Sequence, residues 1–399
     1  MIEVLFILAG ILAGFIAGLL PGIHPNTFAA FLLSASALLP FSPYHITLFL
    51  FSCAISNTFT NFIPSIFLGA PEDETALSVL PGHRFLLSGR GYEAIYLTVV
   101  GGMGVICLTV LLFPLLLISL PLLYSTIKNW IWLLLIFVAI FMIATDKRRF
   151  YAIIVFMLSG LLGIITLNRP LLPSSFMLFP IFSGLFGIST LLLSLKSREK
   201  IPKQDRIIVG LDHKSSFGAI CRGWLAGLIM GVLPGLGASQ AAVLVHEMKR
   251  DNLKSFLVSL GGVNTIACLI SVLSLYIIQR PRSGIAIAIE KIILLDYHLV
   301  IILLFTSLFV CGIISLLTLK SASVFVTFLE KINYRMLSVF VILFLVILTA
   351  ILTGWYGLFV LFVSTTIGIL APLFGVKRSH CMAVLMLPII TGMIGLLDF

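Results

Sequence analysis

Leu12-Ala13-Gly14-Phe15-Ile16-Ala17-Gly18-Leu19-Leu20-Pro21-Gly22-Ile23 returns 213 residues later as Leu225-Ala226-Gly227-Leu228-Ile229-Met230-Gly231-Val232-Leu233-Pro234-Gly235-Leu236, with eight of twelve positions identical and no gap. Apolar stretches agree by chance in their Leu and Ile content. They do not agree by chance in two spaced glycines and a Pro-Gly pair, so the match marks an internal repeat. A fainter echo follows each copy: Asn57-Thr58 stands 36 residues after Pro21, and Asn264-Thr265 stands 30 after Pro234. Pro71-Glu72 and Pro281-Arg282 form a looser third pair. Between the copies runs the one long polar stretch, Leu195 to Arg222, which carries Lys196, Arg198, Lys200, Lys203, Arg206 and Lys214. The chain divides into a first transmembrane repeat over 1–195, a basic linker over 196–216 and a second transmembrane repeat over 217–399.

Composition fixes the solvent these repeats need. Of 399 residues, 60% are hydrophobic and 10% charged, with a mean hydropathy of +1.21. A soluble domain carries about 25% charged residues. A hydrocarbon core about 30 Å thick takes roughly 20 apolar residues per helix, so the length allows about ten crossings. Backbone polar groups in lipid must be satisfied within their own segment, which favours helices. The apolar runs are also much longer than the ~10-residue alternating strands of an outer-membrane barrel. The expected fold is an all-α integral membrane protein of about ten or more segments, with Pro-Gly-broken or re-entrant helices.

Charge placement orients it. The net charge of +10 is not gathered into a nucleic-acid patch; basic residues flank apolar runs, as in Lys147-Arg148-Arg149 and Lys377-Arg378. The positive-inside rule accounts for that placement without a polyanion partner. It puts the linker and both clusters in the cytoplasm and the uncharged Gly354-Trp355-Tyr356-Gly357 turn outside. If that turn corresponds to the 147–149 loop, the halves are inverted-topology repeats with both termini extracytoplasmic. Cys53, Cys107, Cys221, Cys268, Cys311 and Cys381 lie singly in apolar stretches and read as small buried hydrophobes. Residues 1–20 lack a basic flank and run into the repeated motif, which makes them a first membrane helix rather than a cleaved signal.

Inverted repeats place their solute site at the repeat interface, on broken helices. The matched breaks are Pro21-Gly22-Ile23-His24-Pro25-Asn26-Thr27 and Pro234-Gly235-Leu236-Gly237-Ala238-Ser239-Gln240. Proline removes a backbone donor and glycine admits unusual backbone angles, so each helix unwinds there. A new helix starting at Asn26-Thr27 or Ser239-Gln240 would turn free N–H groups toward an anion. Pro21, Gly22, His24, Asn26, Thr27, Pro234, Gly235, Gly237, Ser239 and Gln240 are therefore candidate substrate contacts. Asn57 and Asn264 join them as polar groups in apolar runs, with Asn61 beside Asn57; each equally suits a helix–helix hydrogen bond. Arg282, like Arg280, either neutralises a substrate anion or flanks the membrane. Glu72, Asp73 and Glu74 are candidate coupling-ion groups, since ionisable residues at membrane depth are costly and functional. A solvated loop is the alternative. The G-x-x-x-G spacings of Gly14 with Gly18 and Gly227 with Gly231 suit close helix packing. No phosphate-binding loop, H-E-x-x-H motif or G-x-S-x-G elbow occurs, so no catalytic residue, metal ligand or ATP-driven step is assigned.

The paired Leu-Pro-Gly breaks at 20–22 and 233–235 resemble the large membrane subunit of tripartite tricarboxylate transporters. So do Leu68-Gly69-Ala70-Pro71 followed by Thr75-Ala76, Pro81-Gly82 and Gly89-Arg90-Gly91-Tyr92-Glu93-Ala94. The closer likeness is to the shorter archaeal branch. This resemblance implies a secondary transporter of two repeats, with Pro21–Thr27, Pro234–Gln240 and the 69–76 loop lining the substrate site. It also implies a small membrane subunit and an extracytoplasmic binding protein as partners. Where the bacterial permeases carry small polar residues after the loop proline, this chain has Glu72-Asp73-Glu74, which receive an anion only through intervening cations or protons.

The expected function is a TctA-like permease in the cell membrane, surrounded by membrane lipid. It moves a small organic anion such as a carboxylate by alternating access, coupled to Na+ or H+, with no other cofactor and no enzymatic activity. Two other readings use the same residues. One is a translocase for a polyprenyl-phosphate lipid carrier, with Arg84, Arg90 and Arg282 at the headgroup. The other is a membrane-embedded enzyme holding a divalent metal at Glu72-Asp73-Glu74. Oligomeric state is open, a homodimer included.

Overall fold

The computed structural model describes residues 2–20, 41–69, 75, 79–127, 130–168, 174–196, 202–206, 208, 210–232, 252–281, 283–329 and 334–393. Most of the described residues are helical, with no strand among them. In chain order the helices are α1 (Ile2–Leu19), α2 (Pro43–Thr60), α3 (Val79–Leu87), α4 (Gly91–Ile127), α5 (Ile131–Ala144), α6 (Arg149–Gly163), α7 (Ser174–Phe182) and α8 (Ser189–Lys196). After the linker come α9 (His213–Val232), α10 (Leu253–Ile277), α11 (Gly284–Ile292), α12 (Tyr297–Leu329), α13 (Tyr334–Phe374) and α14 (Ala383–Met393). Wider π-helical turns occupy Pro64–Leu68, Ile164–Asn168 and Ser183–Ile188. Seven helices among the described residues are long and apolar enough to cross a bilayer, and 135–144, 177–193 and 378–393 are shorter apolar helices.

Local signals in the sequence set the helix ends. Ser42 accepts a hydrogen bond from the His45 amide ahead of Pro43, and Asn252 accepts one from the Lys254 amide, so α2 and α10 both start on a polar cap. The α1 helix stops at Leu19, just before the first Leu-Pro-Gly triplet, and α9 is described as far as Val232, with the second triplet outside the described residues. The expected turn at Gly354–Gly357 is instead a break inside α13, where Gly354 takes φ 61° and ψ −154°. Only glycine enters that region without strain.

Burial sorts the helices into an inner pair and an outer ring. The spans 43–68 and 253–277 are each 94% buried, whereas 2–19, 91–126 and 338–374 are only 28–33% buried. The outer helices turn Leu111, Ile118, Ile351 and Phe362 outward, a surface that a hydrocarbon environment satisfies and water does not. Cys107 belongs to this exposed face, a departure from the buried role expected of it, while Cys53, Cys311 and Cys381 are buried as expected.

Close packing runs along matched pairs. Phe6 lies 5.0 Å from the Phe41 and His45 rings. A side chain on Gly10 would strike Ser52, one on Gly14 would strike the Cys53 carbonyl and Ser56, and one on Gly18 would strike Thr60. Contacts therefore advance together and α1 and α2 run parallel. The second repeat does the same. Ser259 Oγ donates to the Ala219 carbonyl at 2.8 Å, Gly223 packs on Ser259, and Gly227 packs on Val263 and Ile266. Gly14, Gly18 and Gly227 act as packing surfaces, as expected of this spacing.

The two halves of the chain interleave in space. The α4 helix packs on α9 and α10, α12 packs on α2, α6 packs on α14, and α7 with its π-helical continuation packs on α13. Several ends gather where the linker passes. Glu93 in the first turn of α4 pairs with Lys254 in the first turn of α10 at 3.0 Å. Phe67, just past α2, stacks on Phe325 near the end of α12 at 6.2 Å. Arg206 of the linker donates to Thr327 Oγ1 at 2.7 Å. At this face α2 and α12 arrive, and α4 and α10 depart.

Candidate functional site

The inner pair α2 and α10 touch through the residues that mark the faint repeat. Asn264 Nδ2 donates to Asn61 Oδ1 and to the Thr58 carbonyl, each at 3.1 Å. The hydroxyls of Thr58 and Thr265 lie 3.2 Å apart, and Asn61 Nδ2 reaches Asn57 Oδ1 at 3.4 Å. All five residues are buried. Asn57 and Asn264 thus belong to one cluster, with Asn61 as the bridge between them. Helix-to-helix hydrogen bonding accounts for Asn264. It does not account for Asn57 Nδ2 or the hydroxyls of Ser52 and Ser56, which are buried without a hydrogen-bond partner among the described residues. Each such group costs about 1–3 kcal/mol if nothing meets it; Ser52 and Ser56 face Gly10 and Gly14 of α1, and Asn57 Nδ2 is the spare donor within the cluster itself.

Neighbouring helices close around this point. A side chain on Gly101 of α4 would collide with the Val258 carbonyl, and one on Gly102 would come within 2.9 Å of Thr265 Oγ1. The two glycines let α4 lie directly on the α10 backbone. At the other side, Gly18 abuts Thr60 and the Asn61 amide, so α1 ends beside the cluster. The α9 helix passes Asn264 with Gly227 between Val263 and Ile266. The chemistry offered is neutral: carboxamides and hydroxyls that can donate to an anion or turn oxygens to a cation.

Most of the other sequence candidates cannot be placed. Pro21, Gly22, His24, Asn26, Thr27, Pro234, Gly235, Gly237, Ser239, Gln240 and Arg282 lie outside the described residues, as do Glu72, Asp73 and Glu74. The two anchors of the acidic segment are visible. Gly69 takes a left-handed φ of 65°, and the buried Thr75 accepts a hydrogen bond on its carbonyl from Ser65 Oγ at 3.1 Å. No group of three or more His, Cys, Asp or Glu side chains placed to hold a metal occurs among the described residues.

The sequence model described as the tripartite tricarboxylate transporter TctA family matches residues 4–383. The chain belongs to that family. A 34% identical relative, an uncharacterised protein of Methanocaldococcus jannaschii, aligns over 98% of this chain and 98% of its own length. No solved structure matches the chain. TctA-family membership makes the protein a transporter component, from a family that works in tripartite systems with a binding protein and a small membrane subunit.

Two polar assemblies of this TctA-family chain were not legible in its sequence. At the linker face, Glu93 is fully buried between Arg90 and Lys254. Beside it, Gln204 reaches in from the linker: its Oε1 accepts the Gly91 amide at 3.0 Å, and its Nε2 donates to Leu86 O at 2.9 Å. Asp205 N donates to Gly89 O at 2.7 Å, which fastens the linker to the α3–α4 turn. The second assembly joins the α5–α6 loop to the residues after α13. Asp146 accepts from the Lys377 and Arg148 amides, both at 3.1 Å, and pairs with His380 Nε2 at 2.9 Å. Burial pushes the Asp146 carboxyl upward, but those two amides and His380 outweigh it and hold the group below its ordinary 3.8. Asp146 stands next to Lys147-Arg148-Arg149, and a lone acid in a basic cluster reads as incidental until its partners 231 residues away are seen.

Proposed function

We propose that this TctA-family chain is the permease of a secondary transport system that carries a small organic anion, such as a carboxylate, across the cell membrane by alternating access. The observation that carries this reading is the buried Asn57–Asn61–Asn264 and Thr58–Thr265 cluster, where helices of the two halves meet with Asn57 Nδ2 as a spare donor among the described residues. A solute site at a repeat interface fits the general design of secondary transporters. In this reading the halves are inverted repeats. Support comes from α2 arriving at the linker face where its counterpart α10 departs, and from α4 departing where α12 arrives. Seven spans and three shorter apolar helices would supply ten crossings. With the linker cytoplasmic, the parallel α1–α2 pair puts the N-terminus outside. Leu20 and Ser42 then lie at opposite ends of that pair, which favours a re-entrant return through the Pro21–Thr27 break. Glu72, Asp73 and Glu74 are the coupling groups for Na+ or H+, and the partners are the binding protein and small membrane subunit of a tripartite system.

Counterflow of radiolabelled di- and tricarboxylates in proteoliposomes tests the reading, with and without sodium and at several pH values. Exchange by the wild-type chain that is lost in Pro21→Ala/Gly22→Ala and in Pro234→Ala/Gly235→Ala, with insertion intact, is expected. Full exchange in both variants would sink the paired-site idea, and no exchange of any carboxylate by the wild type would sink the cargo.

A further inference from the structure

Arg378 stands out among the cations of the chain because it is inside. It follows the α13 helix in a short 3-10 turn, and only 7% of its surface is exposed. The neighbouring cations have evident work. Arg148 Nη1 caps the carbonyl of Phe374 at 2.9 Å, and Arg149 Nε bonds the carbonyl of Ala144 at 3.1 Å, both at helix C-termini. Arg378 instead faces the π-helical stretch Ser183–Ile188 and the start of α8. Its Nη1 bonds Thr190 Oγ1, Ser189 Oγ at 3.2 Å and Phe186 O at 3.4 Å. All three acceptors are neutral and all three use the same nitrogen. Nε and Nη2 make no hydrogen bond to a described residue. Those two N–H groups form the edge with which a guanidinium takes a carboxylate or phosphate in a bidentate fork.

No carboxylate among the described residues neutralises this charge. Asp146 is the near candidate by sequence, but its oxygens are taken by Arg148 N, Lys377 N and His380. Its ion pair is with His380 and not with Arg378. A buried guanidinium without a counter-ion costs several kcal/mol, and in a membrane protein such a group is retained for a function. The surroundings draw anions. Lys147, Arg148, Arg149 and Lys377 stand on the adjoining loops with Asp146 as the one acid among them, and a one-sign rim raises the local anion concentration. Further donors lie on the same seam. Ser183 Oγ and Ser364 Oγ are buried without a partner among the described residues, with Ser364 packed against Gly184.

The geometry points to an oxyanion site at Arg378, with Ser189 and Thr190 holding the guanidinium in place, that takes the carboxylate or phosphate group of a ligand in a bidentate fork. This site is separate from the asparagine cluster and does not depend on the chain being a carrier. A carboxylate or phosphate has two sources, a soluble anion or a lipid headgroup, and the test has an arm for each.

Purified protein in neutral detergent is melted in citrate, in inorganic phosphate and in chloride of matched ionic strength, and its retained phospholipid is counted by native mass spectrometry. The variants are Arg378→Met and Arg378→Lys. If the ligand is soluble, citrate or phosphate raises the wild-type melting temperature saturably and leaves Arg378→Met unmoved. If it is a lipid, soluble anions do nothing, and one anionic phospholipid remains on the wild type and is missing from Arg378→Met. In anion-free, delipidated buffer Arg378→Met melts higher than wild type, because a buried charge without a counter-ion has been removed. Arg378→Lys keeps the charge and loses the fork, so its half-saturating anion concentration rises about tenfold; it decides the matter if Arg378→Met does not fold. Wild type and variants that respond alike to every anion and retain the same lipid overturn the site. No step of the assay needs a gradient, so a chain that fails to transport can still pass it.

Discussion

Asn264 is the residue on which the central cluster turns, since a single Nδ2 serves both Thr58 O and Asn61 Oδ1. Asn264→Ala leaves Asn61 Oδ1 without that donor in a dry interior. Interhelical hydrogen bonds in membranes contribute about 0.6 kcal/mol on average and up to about 1.7, so the variant should melt a few degrees lower and lose carboxylate exchange. Asp146 makes a prediction of a different kind. Its carboxyl is held below 3.8 in the folded protein, so its contribution is fully present above the unfolded value of about 3.9 and lost as pH falls through the folded one. The melting temperature of wild type should exceed that of Asp146→Asn by a constant margin near neutrality. The margin should shrink below pH about 4, and a margin that stays flat down to pH 3 counts against the assignment.

Among the helices, the approach of α4 to α10 is one of the close crossings that glycine makes possible. Gly101→Leu places a branched side chain against the Val258 carbonyl, and overpacking of this sort costs about 1–3 kcal/mol. A thermal melt should show that loss, whereas the same change at Gly312, where an added carbon meets nothing within 4 Å, should not. This asymmetry was hidden in the sequence, because Gly101-Gly102 and Gly312 look alike in apolar runs and only the crossing distinguishes them. What the sequence did disclose was local. The first Leu-Pro-Gly triplet ended α1 where expected, and the polar residues ahead of α2 and α10 became their caps. Asn57-Thr58 and Asn264-Thr265 were legible as repeat markers, yet not as partners, since no spacing rule reports that two helices 200 residues apart will cross there. Arg378 went unremarked for a related reason: the positive-inside rule explains every flanking cation equally well and so cannot single out the one turned inward.

For the whole molecule, the linker face is where the halves are tied. Glu93 belongs to the first repeat and Lys254 to the second, and the carboxylate is fully buried between its partners. A double-mutant cycle on Glu93→Gln and Lys254→Met should give a coupling energy of about 0.5–3 kcal/mol, and simple additivity would mean that the contact carries no weight. Any motion that separates α4 from α10 at this face must break the Glu93–Lys254 pair.

The parallel pairing of α1 with α2 has an electrical consequence. A helix carries roughly half a negative elementary charge at its C-terminal carbonyls. The α1 helix runs toward the linker face and ends at Leu19, one residue past Gly18, which abuts the Asn61 amide. The negative pole of α1 therefore stands beside the asparagine cluster. Such a field favours positive charge over negative charge next to those carboxamides.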